Sequence, residues 1–253
     1  MSGRPAVLVI AGSDSSGGAG IARDLKVLAD LDADALCAIT AVTAQTHGHV
    51  VSVHHVPSEV VRTQIRSALE SSAVAAIKIG MLGTAATVSA VADSLPRGSA
   101  IPVVLDPVLL SSSGGVLLDE AGRAEMCARL FPLATVLTPN IPEAASLCGT
   151  TPAASREALL GQARSLLAAG PRAVLLKGGH AAGAEAVDLL LTAQGPPQWL
   201  SSPRLDARCR GTGCALASAI AARLAHGQTL FEACRSAKEY VRGSLLAAAG
   251  SQP

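Results

Sequence analysis

Aromatic side chains are nearly missing from this chain: two Phe, one Tyr and one Trp make up 2% of its 253 residues. The core therefore has to be built from Ala, Val, Leu and Ile, a habit of composition that carries no function. Mean hydropathy is positive at +0.41, yet Gly, Pro or a charge interrupts every apolar stretch before the roughly 18 residues a spanning helix needs. No membrane segment is expected. Like-charge blocks are also lacking, since 20 Lys and Arg are dispersed among 19 Asp and Glu for a net charge of +1. That excludes the electrostatic footprint of a nucleic-acid binder and a membrane-surface patch. The six cysteines (Cys37, Cys127, Cys148, Cys209, Cys214, Cys234) show no C-x-x-C spacing, which disfavours a zinc site and a disulfide framework. Most are expected to be small core residues. Met1 to Pro5 run straight into an apolar strand-like stretch without a leader's basic start, apolar segment and cleavage site, so a cytoplasmic location is expected.

Apolar material is plentiful, at 49% hydrophobic and 15% charged residues, enough for one sizeable core and a single domain over residues 1–253. Short aliphatic runs recur at Ala6–Ile10, Ala35–Val42, Ala75–Ile79, Pro102–Leu105, Thr135–Leu137 and Ala173–Leu176. Segments of helical periodicity lie between most of them, such as Ile21–Leu31, Val60–Leu69, Ala85–Ser94 and Arg156–Ala168. This alternation predicts an α/β fold with a mainly parallel sheet and helices on both faces. The strand runs are mainly apolar rather than alternating, as burial of both sheet faces requires. Val187–Leu191 and Gln198–Leu200, parted by Gly195-Pro196-Pro197, read as antiparallel edge strands, and two helices, Thr212–His226 and Leu230–Ala249, follow.

Ligands of open parallel sheets sit beyond the carboxyl ends of the strands, and the polar and glycine-rich residues gather there. Gly211-Thr212-Gly213-Cys214 opens a helix of small residues. Its glycines let backbone N–H groups converge, and the helix start adds partial positive charge, which suits a phosphoryl group in transfer. A thiol in the first turn is expected to have its thiolate favoured, so that Cys214 takes the proton of an attacking hydroxyl. A glycine-led helix with a buried cysteine is the plainer alternative. Gly12 to Gly20, after the first strand, has neither a Walker A sequence nor a good dinucleotide fingerprint, and reads as the lip that receives a small substrate, or as a connection. Thr138-Pro139-Asn140-Ile141-Pro142-Glu143 sets an amide and a carboxylate three residues apart. They suit Mg²⁺ beside nucleotide phosphates, or simply a helix start. Asp106 ends one strand and is a further metal candidate. Lys177, followed by Gly178-Gly179-His180, ends another and suits a phosphate. His47, His49, His54 and His55 surround a loop and a short strand without accompanying acids, a weak pattern for a metal.

These stretches, with Ile39-Thr40-Ala41-Val42-Thr43-Ala44-Gln45, Lys78-Ile79-Gly80-Met81-Leu82 and Leu105-Asp106-Pro107-Val108, occur together in one order from near residue 6 to about residue 245. In that order and spacing they resemble the hydroxymethylpyrimidine/phosphomethylpyrimidine kinases of thiamine biosynthesis, within the ribokinase-like superfamily. The resemblance implies that Gln45 hydrogen-bonds a pyrimidine, with Gly12, Met81 and Val108 at the same pocket. It implies Cys214 as base, with Gly211, Thr212 and Gly213 holding the transferred group. Asn140 and Glu143, with Asp106, would organise Mg²⁺, and Lys177 would contact the nucleotide. Such an enzyme phosphorylates the hydroxymethyl compound and then its monophosphate with MgATP, as a homodimer. Cys209-Arg210 stands where the family usually has Thr-His, and Ala215 where threonine is usual; Arg210 is a candidate for holding a phosphate. A pyridoxal or pyridoxine kinase of the same fold is the nearest alternative. A regulatory binding protein that has lost catalysis is a more distant one.

Overall fold

Where an apolar run is long enough to be buried on both faces it becomes an interior strand, and the shorter or more polar runs take the edges. The computed structural model describes residues 3–46, 48–98, 100–111, 114–178, 184–205 and 210–250. Its strands are β1 (Ala6–Asp14), β2 (Asp34–Gln45), β3 (Val50–His55), β4 (Val74–Ile79), β5 (Val103–Leu105), β6 (Val136–Leu137), β7 (Ala173–Leu176), β8 (Glu185–Thr192) and β9 (Gln198–Pro203). They form one sheet in the order β3-β2-β1-β4-β5-β6-β7-β8-β9. The six from β2 to β7 run parallel, while β3 pairs antiparallel with β2 at one edge and, at the other, β8 pairs antiparallel with β7 and β9 with β8. The expected class and both later edge strands are present.

Among the described residues eight α-helices cover the sheet: α1 (Gly20–Asp30), α2 (Ser58–Ser71), α3 (Ala85–Ser94), α4 (Glu120–Arg129), α5 (Ile141–Cys148), α6 (Arg156–Ala168), α7 (Thr212–Ala225) and α8 (Leu230–Gly250). Strand residues alternate between two cores. Leu8, Ile10, Ile77 and Ile79 meet the α2 to α6 side with Ile65, Val88, Met126 and Phe131. Val7, Val9, Ala76 and Val104 meet α1, α7 and α8 on the other. α7 lies flat on the sheet because Ala215 to Ala222 are all small or aliphatic and all buried.

Three expectations change. β1 runs on past Ile10 to Asp14, with a register shift between Ala11 and Ser13, so the lip begins at Ser15. α4 has too few apolar residues to announce itself by period, and is set by Asp119, whose carboxylate accepts from the Gly122 N–H at 2.7 Å. The cysteines lie mostly at the margins of the cores: Cys37, Cys127 and Cys148 are half-buried and packed against them, Cys214 is half-buried, and among the described residues only Cys234 is fully inside. Cys209 lies outside the described residues.

Alternation also sends Lys78 of β4 into the core shared with α1 and α7. There its ammonium meets Asp24 of α1 at 2.7 Å, both side chains being fully buried, and Ser218 of α7 donates to the other Asp24 oxygen at 2.7 Å. Burial pulls the Lys78 ammonium toward neutrality, but the charges of Asp24 and Asp106 outweigh it and the group stays ionised. Removing one partner leaves the other buried and unpaired. Lys78→Met is expected to cost about 3–5 kcal/mol in urea unfolding, most of it recovered in the double variant Lys78→Met/Asp24→Leu. A loss below about 1 kcal/mol in the single variant would show that the pair carries little.

Candidate functional site

The sheet order reverses at β1: the chain moves from β1 outward to β2, then crosses back to place β4 on the other side. Such a reversal opens a crevice at the carboxyl ends of the strands. The polar segments singled out in the sequence arrive there together. The Gly80 N–H donates to Ile10 O at 2.8 Å, Asp106 N to Ile79 O at 2.8 Å, Thr138 N to Leu105 O at 2.9 Å, and Lys177 N to Pro139 O at 2.8 Å. Each strand end is thus tied to the next, from β1 across to β7.

Over these ends sits the start of α7. Gly211 caps it in a left-handed conformation (φ 71°), and any Cβ there would run into the Gly18 carbonyl. Gly20, also left-handed (φ 58°), packs in the same manner against the Gly12 carbonyl. A side chain at either position would be strained by φ and blocked by backbone. The first turn of α7 and the first turn of α1 are therefore neighbours, and the Gly20 N–H favours the Cys214 thiolate. A Cβ on Gly213 would stand 3.3 Å from Lys177 Nζ and 3.7 Å from Asp106 Oδ2. Helix N-terminus, ammonium and carboxylate face one small space.

Lys177 is not a solvated charge. Its Nζ lies 2.9 Å from Asp106 Oδ1, which also accepts from Thr138 Oγ1 at 3.2 Å. Burial lowers the affinity of Lys177 for its proton, but Asp106 and Glu143 more than compensate, and the ammonium is held above its ordinary range. Gly179 and His180 lie outside the described residues. Asn140 and Glu143 close a capping box on α5: Asn140 Oδ1 accepts from Glu143 N and Glu143 Oε2 from Asn140 N, both at 2.8 Å. Burial pushes the Glu143 carboxyl up, Lys177 opposes this and Asp106 adds to it, leaving it at about 7. Among the described residues no three His, Cys, Asp or Glu form a metal cage. The donor set fits a cation that arrives with phosphate oxygens and keeps its waters.

On the other side of the crevice, the Gly12 backbone lies against the Met81 thioether, with a Cβ position 2.9 Å from Sδ, and Thr40 Oγ1 donates to the Met81 carbonyl at 2.6 Å. Met81 also lines a cavity of about 230 Å³ with Val53, His55, Thr84 and Leu117. Val108 is half-buried on the turn after β5, its N–H donating to Asp106 O at 2.9 Å. Gln45 is half-buried at the end of β2, 3.4 Å from Arg210. Of the histidines, His54 and His55 lie exposed on β3, His49 contacts Thr46, and His47 is outside the described residues. Lys78 and Asp24 were not singled out as site residues; a lysine in the middle of an otherwise apolar strand was the available signal.

The expected thiolate at Cys214 is overturned. Burial pushes its thiol up to about 11, and although Lys78 draws it back, Asp24 and Asp106 add to the rise. A helix start is worth less than desolvation here. At neutral pH Cys214 is therefore held as the thiol.

Comparison with known proteins follows this geometry. The family model described as phosphomethylpyrimidine kinase matches residues 14–252. A hydroxymethylpyrimidine/phosphomethylpyrimidine kinase of Streptomyces coelicolor is 47% identical over 244 residues, covering 96% of this chain and 89% of the relative. The crystal structure of phosphomethylpyrimidine kinase from Clostridium difficile 630 is similar with a TM-score of 0.83 at 34% identity, over 95% of this chain and 99% of that one. Pyridoxal kinase from Staphylococcus aureus in complex with ADP gives a TM-score of 0.88 at 32% identity, over 96% and 89%.

The burial of Cys214 is open to direct test by peptide-resolved alkylation. Its rate with iodoacetamide is expected to rise about tenfold per pH unit from 7 to 10 without levelling. A plateau near pH 8 would mean that the helix start wins.

Proposed function

Since the chain belongs to the phosphomethylpyrimidine kinase family, we propose that it transfers the γ-phosphoryl group of ATP to the hydroxyl of 4-amino-5-hydroxymethyl-2-methylpyrimidine, and then to the resulting monophosphate, in thiamine diphosphate biosynthesis. The observation that carries the reading at the site is the space above Gly213, faced by Lys177, Asp106 and the start of α7. Phosphoryl transfer passes through a loose transition state whose charge spreads over three oxygens, so positioning and local positive charge supply most of the catalysis. Lys177 would contact a phosphate as an ammonium already oriented by Asp106. Backbone N–H groups from Gly211 to Cys214 would hold the group in transfer.

Asp106 Oδ1 is taken up by Lys177 and Thr138, while Oδ2 lies toward Gly213. That free oxygen and the Glu143 carboxyl would hold Mg²⁺, which supplies neutralisation of phosphate charge. Asn140 would act through Glu143, by keeping it in the capping box. Cys214 sits between this cradle and the lip. A thiol that keeps its own proton orients the substrate hydroxyl through a hydrogen bond, and only its small ionised fraction accepts a proton as general base. Because the attacking oxygen is little bonded in a loose transition state, its proton leaves late. Gln45, Gly12, Met81 and Val108 line the substrate side. A single ribokinase-like domain, forming a cytoplasmic homodimer, is the form the family resemblance implies. Val42 and Val51, both exposed at the β2–β3 edge, would give such a dimer an apolar surface.

Turnover of the pyrimidine and of pyridoxal, measured side by side with MgATP, tests the substrate. The pyrimidine should show the larger kcat/KM, and a preference for pyridoxal would replace the reading with that of a pyridoxal kinase. For the metal, Glu143→Gln preserves the capping box and removes the charge. Its Tm should stay within about 3 °C of the parent while the Mg²⁺ concentration for half-maximal activity rises severalfold. An unchanged Mg²⁺ requirement would confine Glu143 to helix capping.

A further inference from the structure

Arg210, the residue before Gly211, reaches across to the opposite side of the crevice. Its Nη1 donates to the Thr46 carbonyl at 2.7 Å and to Ser16 Oγ at 3.2 Å, and its Nη2 lies 3.4 Å from Gln45 Oε1 and 3.6 Å from Asp14 Oδ2. Asp14 in turn accepts from the Ser16 N–H and hydroxyl at 2.8 and 2.7 Å. Burial raises the Asp14 carboxyl, but Ser16, Gln45 and Arg210 bring it below its usual range, so an ionised acid backs the guanidinium. The Gln45 backbone is fixed as well, its N–H donating to Ser15 Oγ at 2.9 Å and its carbonyl accepting from the same hydroxyl at 3.2 Å.

A primary amide has an acceptor end and a donor end, and a glutamine free to rotate can offer either to a ligand. A guanidinium carries donors alone. With Arg210 beside Oε1 and the Asp14 carboxylate facing one hydrogen of the amide nitrogen, the amide has to keep Oε1 toward the cation, since the reversed orientation would set donor against donor and acceptor against acceptor. We infer that Arg210 is a positioning residue for substrate specificity: it holds Gln45 Oε1, so that the second hydrogen of Nε2, the one not facing Asp14, is turned to the substrate. The ligand taken there is a flat heteroaromatic ring with a nitrogen lone pair on its edge. This rests on the substrate-side reading of Gln45 proposed above, and it gives Arg210 a role other than holding a phosphate.

Steady-state kinetics of wild type, Arg210→Met, Arg210→Lys and Gln45→Glu separate the roles. Arg210→Met should raise the pyrimidine KM roughly tenfold, with the ATP KM unchanged and kcat altered by no more than about twofold. Arg210→Lys, which keeps one donor, should recover part of the loss. Gln45→Glu keeps the acceptor for Arg210 and removes the donor, so the pyrimidine KM should rise with Tm maintained. In pyridine analogues that replace each ring nitrogen in turn by C–H, one replacement should abolish the difference between wild type and Arg210→Met. A raised ATP KM, or a fallen kcat at unchanged pyrimidine KM, would assign Arg210 to the phosphate side and overturn the inference. Should Arg210→Met fail to fold, an unchanged pyrimidine KM in Gln45→Glu would overturn it equally. Absence of wild-type turnover with the pyrimidine would instead remove the substrate reading, and the inference with it.

Discussion

An ammonium buried without a partner costs several kcal/mol, and Lys78 has its partner only if α1 and α7 are both seated on β4. Asp24 comes from one helix and the serine that completes its bonding from the other, so the pair fixes two helices relative to the sheet. The glycine two residues on belongs to the same constraint, since a Cβ on Gly80 would lie 2.7 Å from Lys78 Nζ. Everything at the crevice inherits this arrangement. The first turn of α7 reaches the strand ends at Asp106 and Lys177 because the body of the helix is held from beneath by an interaction that tolerates no slippage.

Cations along the crevice each have an acidic neighbour: Lys78 with Asp24, Lys177 with Asp106, Arg210 with Asp14. Pairing keeps long side chains oriented before any ligand arrives, which lowers the ordering cost of binding. It also leaves the cradle nearly neutral by itself. An incoming phosphate then meets preorganised donors instead of a bare excess of positive charge, consistent with a chain whose net charge is only +1.

Much of this was legible in the sequence. Apolar runs gave the interior strands, because burial on both faces leaves no room for alternation, and glycine clusters after those runs marked the strand ends that meet at the crevice. What escaped depended on tertiary surroundings. α4 is fixed by its cap more than by an apolar stripe. The ionisation of Cys214 is not legible in the sequence, because its position at a helix start is local and visible whereas the burial that opposes it comes from neighbours distant in sequence. Asn140 and Glu143 show the converse. Their three-residue spacing is a capping box and a candidate cation site at once, and spacing alone does not separate the two.

Gly20 and Gly211 join the lip to the cradle without contributing a side-chain atom. Main chain meets main chain there, at the Gly12 and Gly18 carbonyls. The joint is specified by what is missing, so it has nothing that truncation to alanine can remove; every substitution adds volume to a filled place. Divergence among descendants of this chain is therefore channelled outward, to positions such as Arg210 where one side chain can be traded for another, while the hinge line beneath stays bare.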